Sequence, residues 1–330
     1  MSLPKAWIEL AGVKQGDTVY LDQRKNGSLI ISSEKLLNRM AEPKDLFINC
    51  DMIAEPNLLE RLIVGSYIQG ADTIKIFAST RIKGSQIERV RNIIRRLIGL
   101  NIIEESSNEI VLQCTIDPTK FELYTLVHRL SVIASTMLDE AMDSLIALNA
   151  ELANDVVKRE DEANSLYWLI TRLLTLAQES HTLAEKLGLN EPIGSSLRLV
   201  SKNLERVADC SENIATIARD LHSIRNEIDT KELEKVSNLD QMTKEMFQKA
   251  VDAFFARDVI TANAALNLRD EIDDEAQARR RVASIPYSRA LTIMLSMIAE
   301  NSASIAAITI NIKVSESNFL PYFNESDQVS

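Results

Sequence analysis

Hydrophobic positions change their spacing twice along this chain. Up to residue 35 they come as short β-like triplets, with Val19-Tyr20-Leu21 and Leu29-Ile30-Ile31 flanking Asn26-Gly27, a dipeptide suited to a two-residue hairpin. Ahead of them Lys5–Leu10 reads as a short helix and Lys14-Gln15-Gly16-Asp17 as a turn. Two small strands bury no core alone, so residues 1–38 are expected to pair with a second copy or dock elsewhere. Between 39 and 116 the order is β-α-β-α-β-β: strand Leu46–Asn49, helix Leu58–Gln69, strand Thr73–Phe77, helix Ser85–Ile98, strands Ile102–Glu105 and Ile110–Gln113. That order makes a small α/β domain.

From Asp117-Pro118, an N-cap with a first-turn proline, the pattern is helical. Helices are expected at about 119–148, 150–178 and 195–226, then at about 231–256, 259–283 and 287–313. Asn149 and Asp258 are the matching caps, and Pro192-Ile193-Gly194 and Ser284-Ile285-Pro286 the matching breaks. The predicted fold is mainly α: tandem three-helix bundles at 117–227 and 228–315, with a tail at 316–330. A repeat supports it. Residues 248–275 fall on 139–166 at an offset of 109, placing Ala250, Asp252, Phe254, Ala262, Asp270 and Glu271 on Ala141, Asp143, Leu145, Ala153, Asp161 and Glu162.

Composition narrows the classes. Nine glycines and seven prolines in 330 residues favour long helices over sheets and turns. A net charge of 37 − 48 = −11 argues against wholesale coating of nucleic acid, though not against a local contact. Cys50, Cys114 and Cys210 form no CxxC pair, so zinc knuckles and disulfide frameworks are not indicated and a reducing, cytoplasmic setting is expected. The first nine residues lack a signal-peptide core, and the most apolar stretch, Ala290–Ile312, is interrupted by Glu300. No nucleophile–base pair, HExxH, Walker loop or dinucleotide fingerprint is present, so no enzymatic activity is expected. His128, His181 and His222 lack the Glu-x-x-His spacing of di-iron bundles and are read as surface residues. Arg89, Arg91, Arg95 and Arg96 load one helix of the α/β domain with charge; a solvated face is the first reading, an anion or partner patch the second.

On an antiparallel hairpin, side-by-side residues have numbers that sum to a constant. In the first bundle 160 + 209 and 164 + 205 both give 369, so Glu160 faces Asp209 and Asn164 faces Glu205, each pair spaced i, i+4 on its helix. This quartet is oxygen-rich and suits a hard cation. In the second bundle 269 + 300 and 273 + 296 both give 569, aligning Arg269, Asp273, Ser296 and Glu300. Arg269 stays protonated and cannot be a ligand; it is expected to pair with Glu300, a fixed cation in place of a metal, which leaves Asp273 and Glu300 as a weaker site. The alternative for both bundles is a solvated acidic face with helix-surface ion pairs, such as Glu205 with Arg206 or Lys202.

Leu204-Glu205-Arg206-Val207-Ala208-Asp209, running on to Glu212-Asn213-Ile214-Ala215, resembles the helix-three signature of PhoU phosphate-uptake regulators. Val157–Asn164 and Leu266–Asp273 resemble that family's paired acidic segments, and the likeness covers about 117–315. Ser2-Leu3-Pro4-Lys5-Ala6-Trp7 with Gly12–Val19 is similar to the AbrB/SpoVT swapped-hairpin module, and the joined layout resembles archaeal phosphate-uptake regulators. The resemblance implies control of phosphate transport and its genes, contact with transport or sensor proteins at a membrane complex, and a homodimer. It also implies a metal ion (iron, Mg, Mn, Ca or Zn) on the acidic motifs. DNA contact would fall to Lys5, Arg24 and Lys25. The AbrB-type strand that normally precedes the Leu-Pro-Lys segment has no counterpart here, and residues 1–35 hold five basic against four acidic side chains, a small surplus for neutralising phosphates.

Overall fold

The computed structural model describes residues 3–23, 27–33, 43–55, 57–189, 191–224, 236–282 and 286–316. Helix α1 (Lys5–Ala11) ends on Gly12 in the left-handed conformation and precedes the antiparallel pair β1 (Val19–Gln23) and β2 (Leu29–Ser33). The Ser33 hydroxyl donates to the Ala11 carbonyl at 3.2 Å, tying helix to hairpin. Leu10, Tyr20, Leu21 and Leu29 are exposed, so this module encloses almost no core among the described residues. Asn26, at the expected turn, lies outside the described residues, as do Arg24 and Lys25.

The α/β domain follows the expected order: β3 (Asp45–Asn49), α2 (Leu58–Ile68), β4 (Thr73–Phe77), α3 (Gly84–Ile94), β5 (Leu100–Glu105) and β6 (Glu109–Cys114). The sheet order is β3-β4-β6-β5, parallel between β3 and β4 and antiparallel elsewhere. Alternate strand positions such as Ile48, Ile74, Ile76, Ile110 and Leu112 meet Leu59, Ile63, Tyr67, Val90 and Ile93 of the two helices in one core.

The first helical unit contains α4 (Leu123–Ile146), α5 (Ala150–Glu179), a short α6 (His181–Lys186) and α7 (Glu191–His222); the second contains α8 (Ser237–Ala256), α9 (Val259–Val282) and α10 (Pro286–Glu316). Several boundaries differ from the sequence reading, among them the end of α3, at Ile94 rather than Ile98, which leaves Arg95 and Arg96 in the turn beyond it. Asp117 caps a 3-10 turn, Pro118–Lys120, accepting from Thr119 N–H at 2.9 Å, and extended Phe121 delays the long helix to Leu123. The break after α5 is filled by α6, because Ser180 Oγ accepts from Leu183 N–H at 3.3 Å and starts a fresh turn. Pro192 lies inside the first turn of α7, where its missing N–H costs nothing. The expected start at 231 and Ser284-Ile285 lie outside the described residues.

The repeat is a packing repeat. Ala141, Ala153, Ala250 and Ala262 are fully buried, and Leu145 and its equivalent Phe254 are buried beside them. The repeated acids Asp143, Asp161, Asp252 and Asp270 are exposed. Both first helices end alike: Leu148 (φ 46°) and Arg257 (φ 54°), 109 apart, are the described non-glycine residues with positive φ. The next residue caps the second helix in each unit. Asn149 accepts from Glu151 and Leu152 N–H, and Asp258 from Ile260 N–H at 2.9 Å. Helices α7 and α10 pack on one another, and one apolar cluster runs through both units from Leu123 to Ile312. Helix α10 is long and apolar enough to cross a membrane by length and composition, but 56% of its most apolar window is buried inside the protein.

Candidate carboxylate face on the first bundle

Helices α5 and α7 lie side by side, as the register sums require. The negative charge of Asp209 disfavours ionisation of Glu160, Glu205 and Glu212. Glu205 and Asn164 are buried, while Glu160, Asp209 and Glu212 are half-buried. Burial is the main reason their carboxyls resist ionising. Glu160 is pushed up to about 7, first by desolvation, against the opposing pull of Arg96 and with further repulsion from Glu212, Asp161 and Asp209. Glu205, Asp209 and Glu212 are raised too, again through desolvation first.

Protein groups answer this charge. Lys202 Nζ donates to Glu205 Oε2 at 2.5 Å while lying over the Tyr167 ring, the surface pair expected as the alternative to a metal. The Asn164 amide donates to Glu160. Arg96, from the turn after α3, reaches across from the α/β domain: Nη2 is 3.5 Å from Glu160 Oε2, Nε is 2.7 Å from Asp161 Oδ1, and the guanidinium stacks over Trp168 at 5.1 Å. Among the described residues no three His, Cys, Asp or Glu side chains are gathered so as to hold a metal ion. As placed, Glu160 is met by Arg96 and the Asn164 amide and Glu205 by Lys202, and the set does not fit a metal.

Sequence reasoning missed two members. Glu212 was readable as the residue three after Asp209 on the same helix. Arg96 was visible only as one of four arginines. Arg91 and Arg95 are exposed, in line with a solvated face, and Arg91 pairs with Glu105 at 2.9 Å; Arg89 binds Glu60 at 3.0 Å and Arg96 binds the bundle. Its target depends on how the α/β domain docks, which local pattern does not encode.

The second bundle differs. Arg269 pairs with Asp273 at 3.7 Å on its own helix rather than with Glu300. The i, i+4 spacing brings Asp273 within reach without crossing to α10, and Glu300 stays exposed. The histidines serve locally: His128 packs edge-on to Phe255, His181 approaches Glu185, and His222 Nδ1 meets the Leu148 carbonyl at 2.6 Å. Of the expected DNA-contacting residues, Lys5 is described and exposed.

A separate buried charge lies between the units. Asp240 on α8 is 6% exposed and its carboxyl is pushed up to about 6, chiefly by desolvation, with Lys244 opposing and Asp139 and Asp143 of α4 reinforcing the shift. Lys244 Nζ bridges Asp139 at 3.2 Å and Asp240 at 3.3 Å. A cavity of about 410 Å³ opens beside them, lined in part by Ser135, Leu138 and Phe247.

Comparison with known proteins agrees with this architecture. Residues 127–218 match the PhoU domain, and residues 1–36 match the family described as antidote-toxin recognition MazE, bacterial antitoxin. The chain is 25% identical over 154 residues to the phosphate-specific transport system accessory protein PhoU homolog of Aquifex aeolicus (strain VF5), covering 45% of this chain and 64% of that relative's length. The crystal structure of PhoU from Pseudomonas aeruginosa has a similar fold, with a TM-score of 0.50 at 17% identity over 58% of this chain and 96% of that one. The PhoU-like helical fold and the resemblance of the amino-terminal module to an antitoxin-type hairpin are therefore borne out.

Proposed function

We propose that the chain regulates phosphate uptake as a non-enzymatic, cytoplasmic adaptor that binds transport or sensor proteins at a membrane complex. The observation that carries this reading is the PhoU-domain match over 127–218, which spans the helices bearing the acidic face. The chain offers that face and two helical hairpins as recognition surfaces. Deleting the gene and measuring phosphate uptake in phosphate-rich and phosphate-poor growth tests it. Uptake should lose its dependence on external phosphate, and unchanged uptake in both media would end the proposal. Metal analysis of protein purified without chelators, beside Glu205→Ala and Asp209→Ala variants, checks the cation that the sequence motif implies.

A second reading has its own support. The match of residues 1–36 to an antitoxin family favours a DNA-contacting, dimeric amino-terminal module acting on phosphate-transport genes. Anisotropy titration against the gene's upstream region at low salt should show affinity that falls as salt rises. Absence of salt-dependent binding would remove this reading and leave the first intact.

A further inference from the structure

We propose that the α/β domain is a releasable cover on the first bundle, held against α5 by charge, and that its opening bares the stripe of α5 from Glu160 to Glu179.

The two bodies have separate interiors. The α/β core gathers around Ile48, Ile74 and Leu112, and the bundle cluster runs from Leu123 to Ile312. Ile116 touches both, and Trp168 of α5 packs on the α/β core. The chain crosses between them once, from the end of β6 at Cys114 to the start of α4 at Leu123. Bodies linked by a single crossing and a mostly polar seam move relative to one another unless something holds them.

What holds them is charge at both ends of the seam. At one end the Arg96 guanidinium spans the Glu160 and Asp161 carboxylates and covers the Trp168 ring. At the other, Lys44 binds Glu179 at 3.0 Å. Both cations belong to the α/β domain and all three acids to α5. Asp161 and Glu179 are exposed, so dissolved salt screens these ties. The middle of the seam is divided. Leu176 lies so close to Gly70 that a Cβ there would meet it at 2.6 Å, and this contact favours closure. Arg172 opposes it. That side chain is 3% exposed, donates to the Tyr67 carbonyl at 2.7 Å and stacks on the Tyr67 ring, and no carboxylate among the described residues pairs with it. A guanidinium buried against a carbonyl and a ring rather than an acid keeps much of its desolvation cost, and opening returns it to water. Trp168 and Arg172, one turn apart on the bared stripe, are residue types that anchor protein interfaces. What binds there rests on the adaptor reading; the opening does not.

Acrylamide quenching of Trp168 tests the opening, in the full-length chain carrying Trp7→Phe so that Trp168 is the one tryptophan left. Raising the ionic strength from about 0.01 M to about 1 M should increase the quenching constant at least about twofold, with helix content by circular dichroism unchanged. A constant that stays flat, or rises only as helix is lost, overturns the proposal. Glu179→Gln removes the tie at the far end of the seam and touches nothing at Trp168. It should move the open–closed equilibrium about two- to fivefold toward the open form. Unchanged quenching in that variant at every ionic strength also overturns the proposal, because a purely local contact at Trp168 does not feel Glu179. Should Trp7→Phe fail to fold, hydroxyl-radical oxidation of Trp168 in the wild type, located by mass spectrometry, is read in the same way. Phosphate control in cells enters none of these readouts, so their failure leaves the adaptor reading standing.

Discussion

Helices α5 and α9 hold equivalent places in the two units, yet they meet different surroundings. Along α5, Glu160, Trp168, Arg172 and Leu176 lie under the α/β domain. Along α9, Arg269 and Gln277, the counterparts of Glu160 and Trp168, are exposed. The inward faces are alike, with Ala153 and Ala262 both fully buried. The duplication has therefore kept what packing demands and let the outer stripe diverge, which places functional difference between the units on the outside of the second helix.

The largest effects should come from the shared interior. Leu145→Ala and Phe254→Ala each remove a buried side chain at the same place in the repeat and should cost about 2–5 kcal/mol in denaturant unfolding. A near-neutral Phe254→Ala would break the equivalence. The outer stripe should split the units: Trp168→Ala loses contact with Arg96 and the α/β core and is expected to cost about 0.5–3 kcal/mol, whereas Gln277→Ala should fall within about 0.5 kcal/mol of wild type. Equal effects would mean that docking contributes nothing at α5.

The seam between the units titrates. Asp240 holds its proton up to about pH 6 in the fold, against about 4 for an ordinary aspartate. Its raised value means that the folded state binds the proton more tightly than the unfolded chain. The resulting stabilisation is full below about pH 4 and is lost as pH rises through about 6. Asp240→Asn should therefore raise the melting temperature at pH 8, by an amount corresponding to about 1–3 kcal/mol, and leave it unchanged at pH 4. A pH-independent effect would show that the carboxyl titrates normally. The smallest change is expected at the paired left-handed residues, where glycine relieves the backbone but removes the packing of Leu148 and the contacts of Arg257 with Glu316 and Tyr124, so that Leu148→Gly and Arg257→Gly should each stay within about 1 kcal/mol of wild type in the same assay. Opposite signs at the two positions would show that the turns are not equivalent in energy.

The helical scaffold was legible because each signal was local. Asn149 and Asp258 announced their helices, the 109-residue offset survived in buried alanines, and the α/β order followed from short apolar runs between turns. Register sums also set α5 against α7, which pack on one another. What escaped was long-range. Nothing in the spacing of Arg96 reveals that it meets Glu160 and Asp161 on another domain, and Arg269 chose Asp273 over Glu300 because a same-helix partner needs no cross-helix reach. Boundaries slipped where a single side chain competed with the helix, as when Ser180 restarted it and Asp117 spent its cap on a 3-10 turn.

The apolar cluster that runs unbroken from Leu123 to Ile312 gives the paired bundles no plane of cleavage. Parting α7 from α10 would expose apolar side chains on both at once, a cost that grows with area. The two repeats should consequently melt in one cooperative step, and torque applied to either should be carried to the other as through a single beam.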